Sequence, residues 1–207
     1  MAPKLIGTQS LADGNTGEGR IGRTGEEINS KLHADLYETN KRGNVFSGAT
    51  AVTGVAPGTA IGTTAAFALY NPSNSGFDLV VLKASMSYLS GTLGIGFVNW
   101  IMHTATVQAG AAVSGTAITA VAGNGSGKAA VGKPLTTATV VAGVLTRLFT
   151  NLPPMLASSV LTPWRADDDI NGAIVVPPGA AVSLQATAAA GTTPLVIYGC
   201  TWEEVPV

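Results

Sequence analysis

The chain has 207 residues and a net charge of −1, with 11 Lys and Arg against 12 Asp and Glu. That balance lacks the basic footprint with which a protein displaces counterions from nucleic acid, and a single cysteine, Cys200, excludes an intrachain disulfide framework. A chain of this length fits one large domain, or a domain with an arm, and buries about 70% of its unfolded surface without staples.

Residues 1–45 stand apart. They hold 12 of the 23 charged residues, whereas Ala84–Gly127 holds none. The opening "MAPKLIGTQS" has no apolar core of the length a secretory signal needs. Gly14, Gly17, Gly19 and Gly22 are too closely spaced for a helix interior, so the leader reads as loop up to Thr24. Thr24 to Glu27 fits a capping box ahead of Ile28, Leu32 and Leu36 at helical spacing. Ile28, Ser30, Leu32, Ala34 and Leu36 also alternate as a strand would. Extended structure is favoured, with Gly43 and Asn44 as a strand-to-turn signal. A segment of this composition forms no core alone, so it is either disordered or laid across a neighbour.

From Phe46 onward the pattern is β, and residues 46–207 form the body. Strands are expected at 65–70, 79–89, 93–102, 117–122, 136–148, 173–176, 181–187 and 194–204, with turn clusters such as "NPSNSG", "GNGSG" and "DDDING" between them. Val182, Leu184 and Ala186 alternate with Ser183, Gln185 and Thr187. Val196, Tyr198, Cys200 and Trp202 alternate with Ile197, Gly199, Thr201 and Glu203. Pro177-Pro178-Gly179 and a Gly-Thr-Thr turn bound these last strands, a hairpin-like ending. No 10–15-residue amphipathic helices intervene, which argues against a parallel α/β fold. The expected fold is an all-β antiparallel sandwich of jelly-roll type with an extended N-terminal arm. No unbroken apolar run exceeds the six residues Ala65–Tyr70, against about 20 for a spanning helix.

No constellation reaches the level of a catalytic, cofactor or metal site. "AGNGSGKAA" (122–130) places Ala122 and Ala129 where a phosphate loop needs Gly and Ser or Thr, so it reads as a flexible loop with Lys128 solvated. Asp167, Asp169 and Asn171 match the first half of a calcium loop, but Pro178 takes the place of its closing Glu. The run reads as a solvated turn or an acidic patch facing Arg165 or a neighbouring subunit. His33 and His103 lack metal-ligand spacing to each other or to Cys200, and Cys200 reads as a small buried hydrophobe. Trp100, Trp164 and Trp202 fit core or interface anchors better than a sugar platform.

"GEEINSKLHADLYETNKRGNVFSGAT", "FALYNPSNSGFDLVVLKASMSYLSGTLGIGFVNW" and "VVPPGAAVSL…VIYGCTWEEV" together resemble structural proteins of tailed bacteriophages, including those of cyanophages. The resemblance is strongest to capsid cement or decoration proteins with a jelly-roll body. It is carried by "RGNVFSG", "YNPSNSG" and "VPPGAAVSL". It implies a homo-oligomer, often a trimer, on the exterior of the head shell, clamping subunits of the major capsid protein. Such a protein resides in the host cytoplasm before assembly. Arg20, Arg23, Lys41 and Arg42, with Ile28, Leu32, Leu36 and Tyr37, are the expected partner-binding residues of the arm. A tail, baseplate or fibre component and a carbohydrate-binding module, with Trp164 as platform, are the alternatives. No cofactor, nucleic acid or membrane is implied.

Overall fold

The computed structural model describes residues 8–10, 16–18, 34–104, 113–154, 164–188 and 191–207. Contacts divide the chain into two units, Met1–Glu38 and Thr39–Val207. In the first, β1 (Thr8–Ser10) and β2 (Thr16–Glu18) form an antiparallel ribbon, so the glycine-rich leader contains paired backbone. A five-residue helix, α1 (Tyr37–Lys41), spans the junction, with Glu38 in its first turn and Lys41 in its last, as the helix dipole favours. The Gly43 and Asn44 N–H groups bond the carbonyls of Asn40 (2.8 Å) and Thr39 (3.2 Å). Those residues therefore close a helix, where the sequence pattern had suggested the end of a strand.

The second unit is a β-sandwich. One sheet has five strands in the order β11 (Arg165–Val176), β5 (Phe77–Ser90), β13 (Leu195–Pro206), β3 (Val45–Ala49) and β8 (Val121–Ala122). The other has six: β10 (Val144–Leu152), β6 (Gly96–His103), β12 (Ala181–Ala188), β4 (Thr64–Tyr70), β9 (Lys133–Thr139) and β7 (Ser114–Ala117). Every pairing is antiparallel. β3 pairs with β13, β4 with β12, β5 with β11 and β6 with β10, so the first four strands meet the last four in reverse order. Cross-pairs of β5 with β13 and β6 with β12 complete each sheet. This is a long folded hairpin rolled into two sheets, the jelly-roll arrangement. Strands β7 to β9 lie between β6 and β10 in the chain and widen both sheets.

Alternation produces the core. Val182, Leu184 and Ala186 from β12 meet Val196, Tyr198, Cys200 and Trp202 from β13 between the sheets. Phe46 stacks on Trp202 with ring centroids 6.1 Å apart, and Trp100 meets Phe149 edge-on at 6.3 Å. Both geometries suit the ring quadrupole.

Three boundaries differ from the sequence pattern. The run 136–148 is divided into β9 and β10, because residues Val140–Gly143 leave the sheet and Gly143 lies so close to His103 and Ile101 that a Cβ there would come within 2.6 Å of either. Residues 117–122 supply parts of β7 and β8, in opposite sheets. β12 and β13 also lie in opposite sheets, so the ending is a crossover and not a hairpin. The sandwich needs each inner face covered, and crossing strands achieve that.

"DDDING" is likewise a strand. β11 runs through it beside β5, with Asp169 opposite Lys83 and Ile174 opposite Val81. The surplus residues form a bulge in which Asn171 and Gly172 take φ of 48° and 84°.

Candidate interaction surfaces

Strand alternation splits the three consecutive aspartates. Asp167 and Asp169 face outward, where Lys83 Nζ lies 3.9 and 3.3 Å from their carboxylates and Arg165 Nη2 lies 2.8 Å from Asp167. The Arg165 hydrogen bond is the main cause holding the Asp167 carboxyl below its ordinary range, and the same bond raises Arg165. Asp168 faces inward and is nearly buried. It accepts from Trp100 Nε1 at 3.0 Å and from Arg147 Nε and Nη2 at 3.1 and 2.7 Å. This charge-assisted fork joins the edge strands of the two sheets, β11 and β10. The carboxylates therefore do not converge on an ion. Among the described residues, no three His, Cys, Asp or Glu side chains cluster as a metal site.

The outer face of the six-stranded sheet carries a second polar group. His103 Nε2 and Ser183 Oγ are 2.9 Å apart, and Gln185 Nε2 donates to Ser183 Oγ at 3.0 Å. Gln185 also clamps the backbone of Gly62, donating to its carbonyl at 3.3 Å and accepting from its N–H at 2.8 Å. Burial holds His103 below the usual imidazole range, against a smaller opposing pull from the Val141 backbone. The pair has the atoms of a serine–histidine nucleophile unit. Both side chains are nevertheless fully buried, and Ser183 sits in a strand paired on both sides. Its neighbouring N–H groups are committed to the ladders, so none is aimed at a developing oxyanion. The group pins the segment containing Gly62 onto the sheet.

The outer face of the five-stranded sheet forms a shallow trough of about 450 Å³. Ser47, Ser85, Gly199 and Thr201 line it between Lys83 and Arg165 on one side and Val121 on the other. The Ser47 and Thr201 hydroxyls bond each other at 2.9 Å. The buried Cys200 thiol is pushed up to about 12 by burial, which removes it as a nucleophile at neutral pH. Among the tryptophans, Trp100 and Trp202 are fully buried and Trp164 packs against the core. Lys128 is exposed but engaged: its ammonium donates to Asn44 Oδ1 at 2.8 Å and lies 5.7 Å from the centre of the Phe46 ring.

Sequence pattern missed the third surface. β10 is an edge strand exposed from Val144 to Leu148. Extra residues at Thr146 and Phe149 bulge it against β6. In a regular strand Leu145 and Leu148 would face opposite ways. The first bulge lets both face outward while Arg147, between them, turns in to Asp168. Leu148 is 64% exposed, Leu145 49% and Phe97, on the same face of β6, 48%. Ile95, just before β6, is 67% exposed. The alternation of exposed Leu with an Arg gave no sign of this, because the bulges shift the period.

Of the expected arm contacts, Arg20, Arg23, Ile28 and Leu32 lie outside the described residues. Leu36 and Tyr37 are exposed in the first unit, and Lys41 and Arg42 are exposed in the second. Comparison of the chain with protein-family models, curated proteins and solved structures returns no match.

Proposed function

We propose that this chain is a structural protein of a phage virion, a cement or decoration subunit that binds the outside of the head shell. Its partners in this reading are the major capsid protein and its own copies, assembled as a homotrimer. It passes through the host cytoplasm before assembly. The resemblance of "RGNVFSG", "YNPSNSG" and "VPPGAAVSL" to such proteins supports this reading. The observation that carries the reading is the partition of charge between the two sheets. The five-stranded sheet bears Asp78, Lys83, Arg165, Asp167, Asp168, Asp169, Glu203 and Glu204. The six-stranded sheet bears only Lys133 and Arg147 besides the buried His103. A sheet with so little charge has little to hold it in solution alone and suits contact with other protein. Binding of this kind needs shape and valency, and many weak contacts repeated over a symmetric lattice add avidity.

The test is cosedimentation of the purified protein with shells of its own phage. Saturable binding near the stoichiometry of the major capsid protein supports the reading. Binding at a few sites per particle moves the protein to the tail, baseplate or a fibre. Binding to host glycans in place of shells indicates a carbohydrate-binding module, a role poorly served by tryptophans packed into the core.

A further inference from the structure

We infer that Lys128 and Asn44 are the partners of a self-catalysed isopeptide crosslink, formed within the folded chain with Glu204 as its proton carrier. This activity does not rest on the virion reading, and the failure of either leaves the other standing. Three observations carry it. The first is contact. Lys128 Nζ lies 2.8 Å from Asn44 Oδ1, so the amine already sits at the carboxamide it would attack. The approach is built into the chain. Gly43 has no side chain where the lysine stem passes, and a Cβ there would lie 3.4 Å from Lys128 Cδ. The Phe46 ring steadies the other end, with its centre 5.7 Å from Nζ.

The second is a carboxyl group in the right place. β13 runs against β3 with Trp202 opposite Phe46 and Glu203 opposite Val45. One step further along that register sets Glu204 opposite Asn44, and the Glu204 N–H donates to the Asn44 carbonyl at 2.8 Å. Side chains directly opposed in this way leave the backbone about 5 Å apart. Glu204 is 1% exposed. Its Oε1 accepts from the N–H groups of Val131 and Gly132 at 2.8 and 2.9 Å, just after Lys128 in the chain. Its Oε2 is buried and has no hydrogen-bond partner among the described residues. A hydrogen bond between Lys128 and Asn44 needs no carboxyl group beside it. A buried polar atom left unpaired calls for an explanation, and proton transfer supplies one.

The third is the setting. Trp202 stacks on Phe46, and its Nε1 lies 3.4 Å from Glu204 Oε1. The amine comes from the segment leading into β9, the carboxamide from the start of β3 and the carboxyl from the end of β13. Only folding brings them together, so the fold itself supplies the proximity the reaction needs. In the reaction Nζ attacks Asn44 Cγ as a free amine. The Nζ–Cγ bond forms and the Cγ–Nδ2 bond breaks. Glu204 takes a proton from Nζ and passes it to the departing Nδ2. An ammonium and a carboxamide become a secondary amide and an ammonium ion, so atoms and charge balance without an oxidant or a cofactor. The product ties the start of β3 in one sheet to the segment entering β9 in the other, in a chain that has no intrachain disulfide.

Intact mass spectrometry of the purified, folded full-length protein tests this. The wild-type chain is expected to be lighter than its sequence by one ammonia. After denaturation and trypsin, residues 43–83 should remain joined to the stretch that begins at Ala84 and contains Lys128, although the chain is cut at Lys83. Lys128→Arg keeps a cation beside Phe46 and should show the full sequence mass. Glu204→Gln keeps an oxygen acceptor for the Val131 and Gly132 N–H groups and, folded, should also show the full mass. A wild-type protein at its full sequence mass after prolonged incubation overturns the inference. So does an ammonia loss that persists in Lys128→Arg, which would report a cyclised asparagine. A folded Glu204→Gln that crosslinks like wild type would overturn the part assigned to Glu204.

Discussion

His103 shows how a single residue type misleads until its surroundings are known. In the sequence it has no metal-ligand spacing to His33 or Cys200, and in the fold it is fully buried against Ser183 and Gly143. Burial disfavours the charged ring, so the folded-state pKa lies below the ordinary imidazole value of about 6.5. The unfolded chain then binds the proton first as pH falls. Stability is full above about 6.5 and is lost as pH drops below it, by up to about 1.4 kcal/mol per unit, until the folded-state pKa is reached. Urea midpoints measured at pH 7.5 and pH 5.5 should therefore differ for the wild-type protein and converge for His103→Gln. An undiminished pH effect in the variant would assign the dependence elsewhere.

At the scale of elements, most strands were legible because alternation of large apolar and small polar residues survives folding, as in Val196 to Glu203. Bulged strands were not. Three aspartates in a row read as a turn, yet β11 continues through them. Lys83 and Arg165 neutralise Asp167 and Asp169 outside, and Trp100 and Arg147 satisfy Asp168 inside. Those partners are distant in sequence, so no local pattern announces them. The same reason hid the outward pairing of Leu145 with Leu148. The Asp168 fork is also the element-level contact that closes one side of the sandwich. Asp168→Ala leaves the buried Trp100 donor without its acceptor, while the part-exposed Arg147 can turn to water, and should destabilise the fold by about 2 kcal/mol in chemical denaturation. A change within about 0.5 kcal/mol would mean the fork contributes nothing net to the sandwich.

At the largest scale, the second unit is a jelly roll in which early and late strands must find each other. Ala49 opposes Gly199 and Phe46 opposes Trp202, so most stabilising contacts are remote in sequence. The sequence pattern identified the class of fold, because strands separated by turns admit few other packings, but strand order needed the pairings themselves. Charge sets residues 1–45 apart as an arm in the sequence. Its boundary is finer than composition indicates: Lys41 and Asn44 accept hydrogen bonds from Asn124 and Lys128, and Glu204 N–H bonds the Asn44 carbonyl at 2.8 Å. A deletion of residues 2–38 respects these contacts, whereas one of residues 2–44 removes them. The shorter deletion should leave a folded body that binds shells weakly. Full shell occupancy by that variant would remove the arm from the binding mechanism.

Copy number in the particle bears most directly on the central claim. Quantitative mass spectrometry of purified virions would give the ratio of this chain to the major capsid protein. The cement reading predicts a ratio near one. A handful of copies per virion, or none, would contradict it.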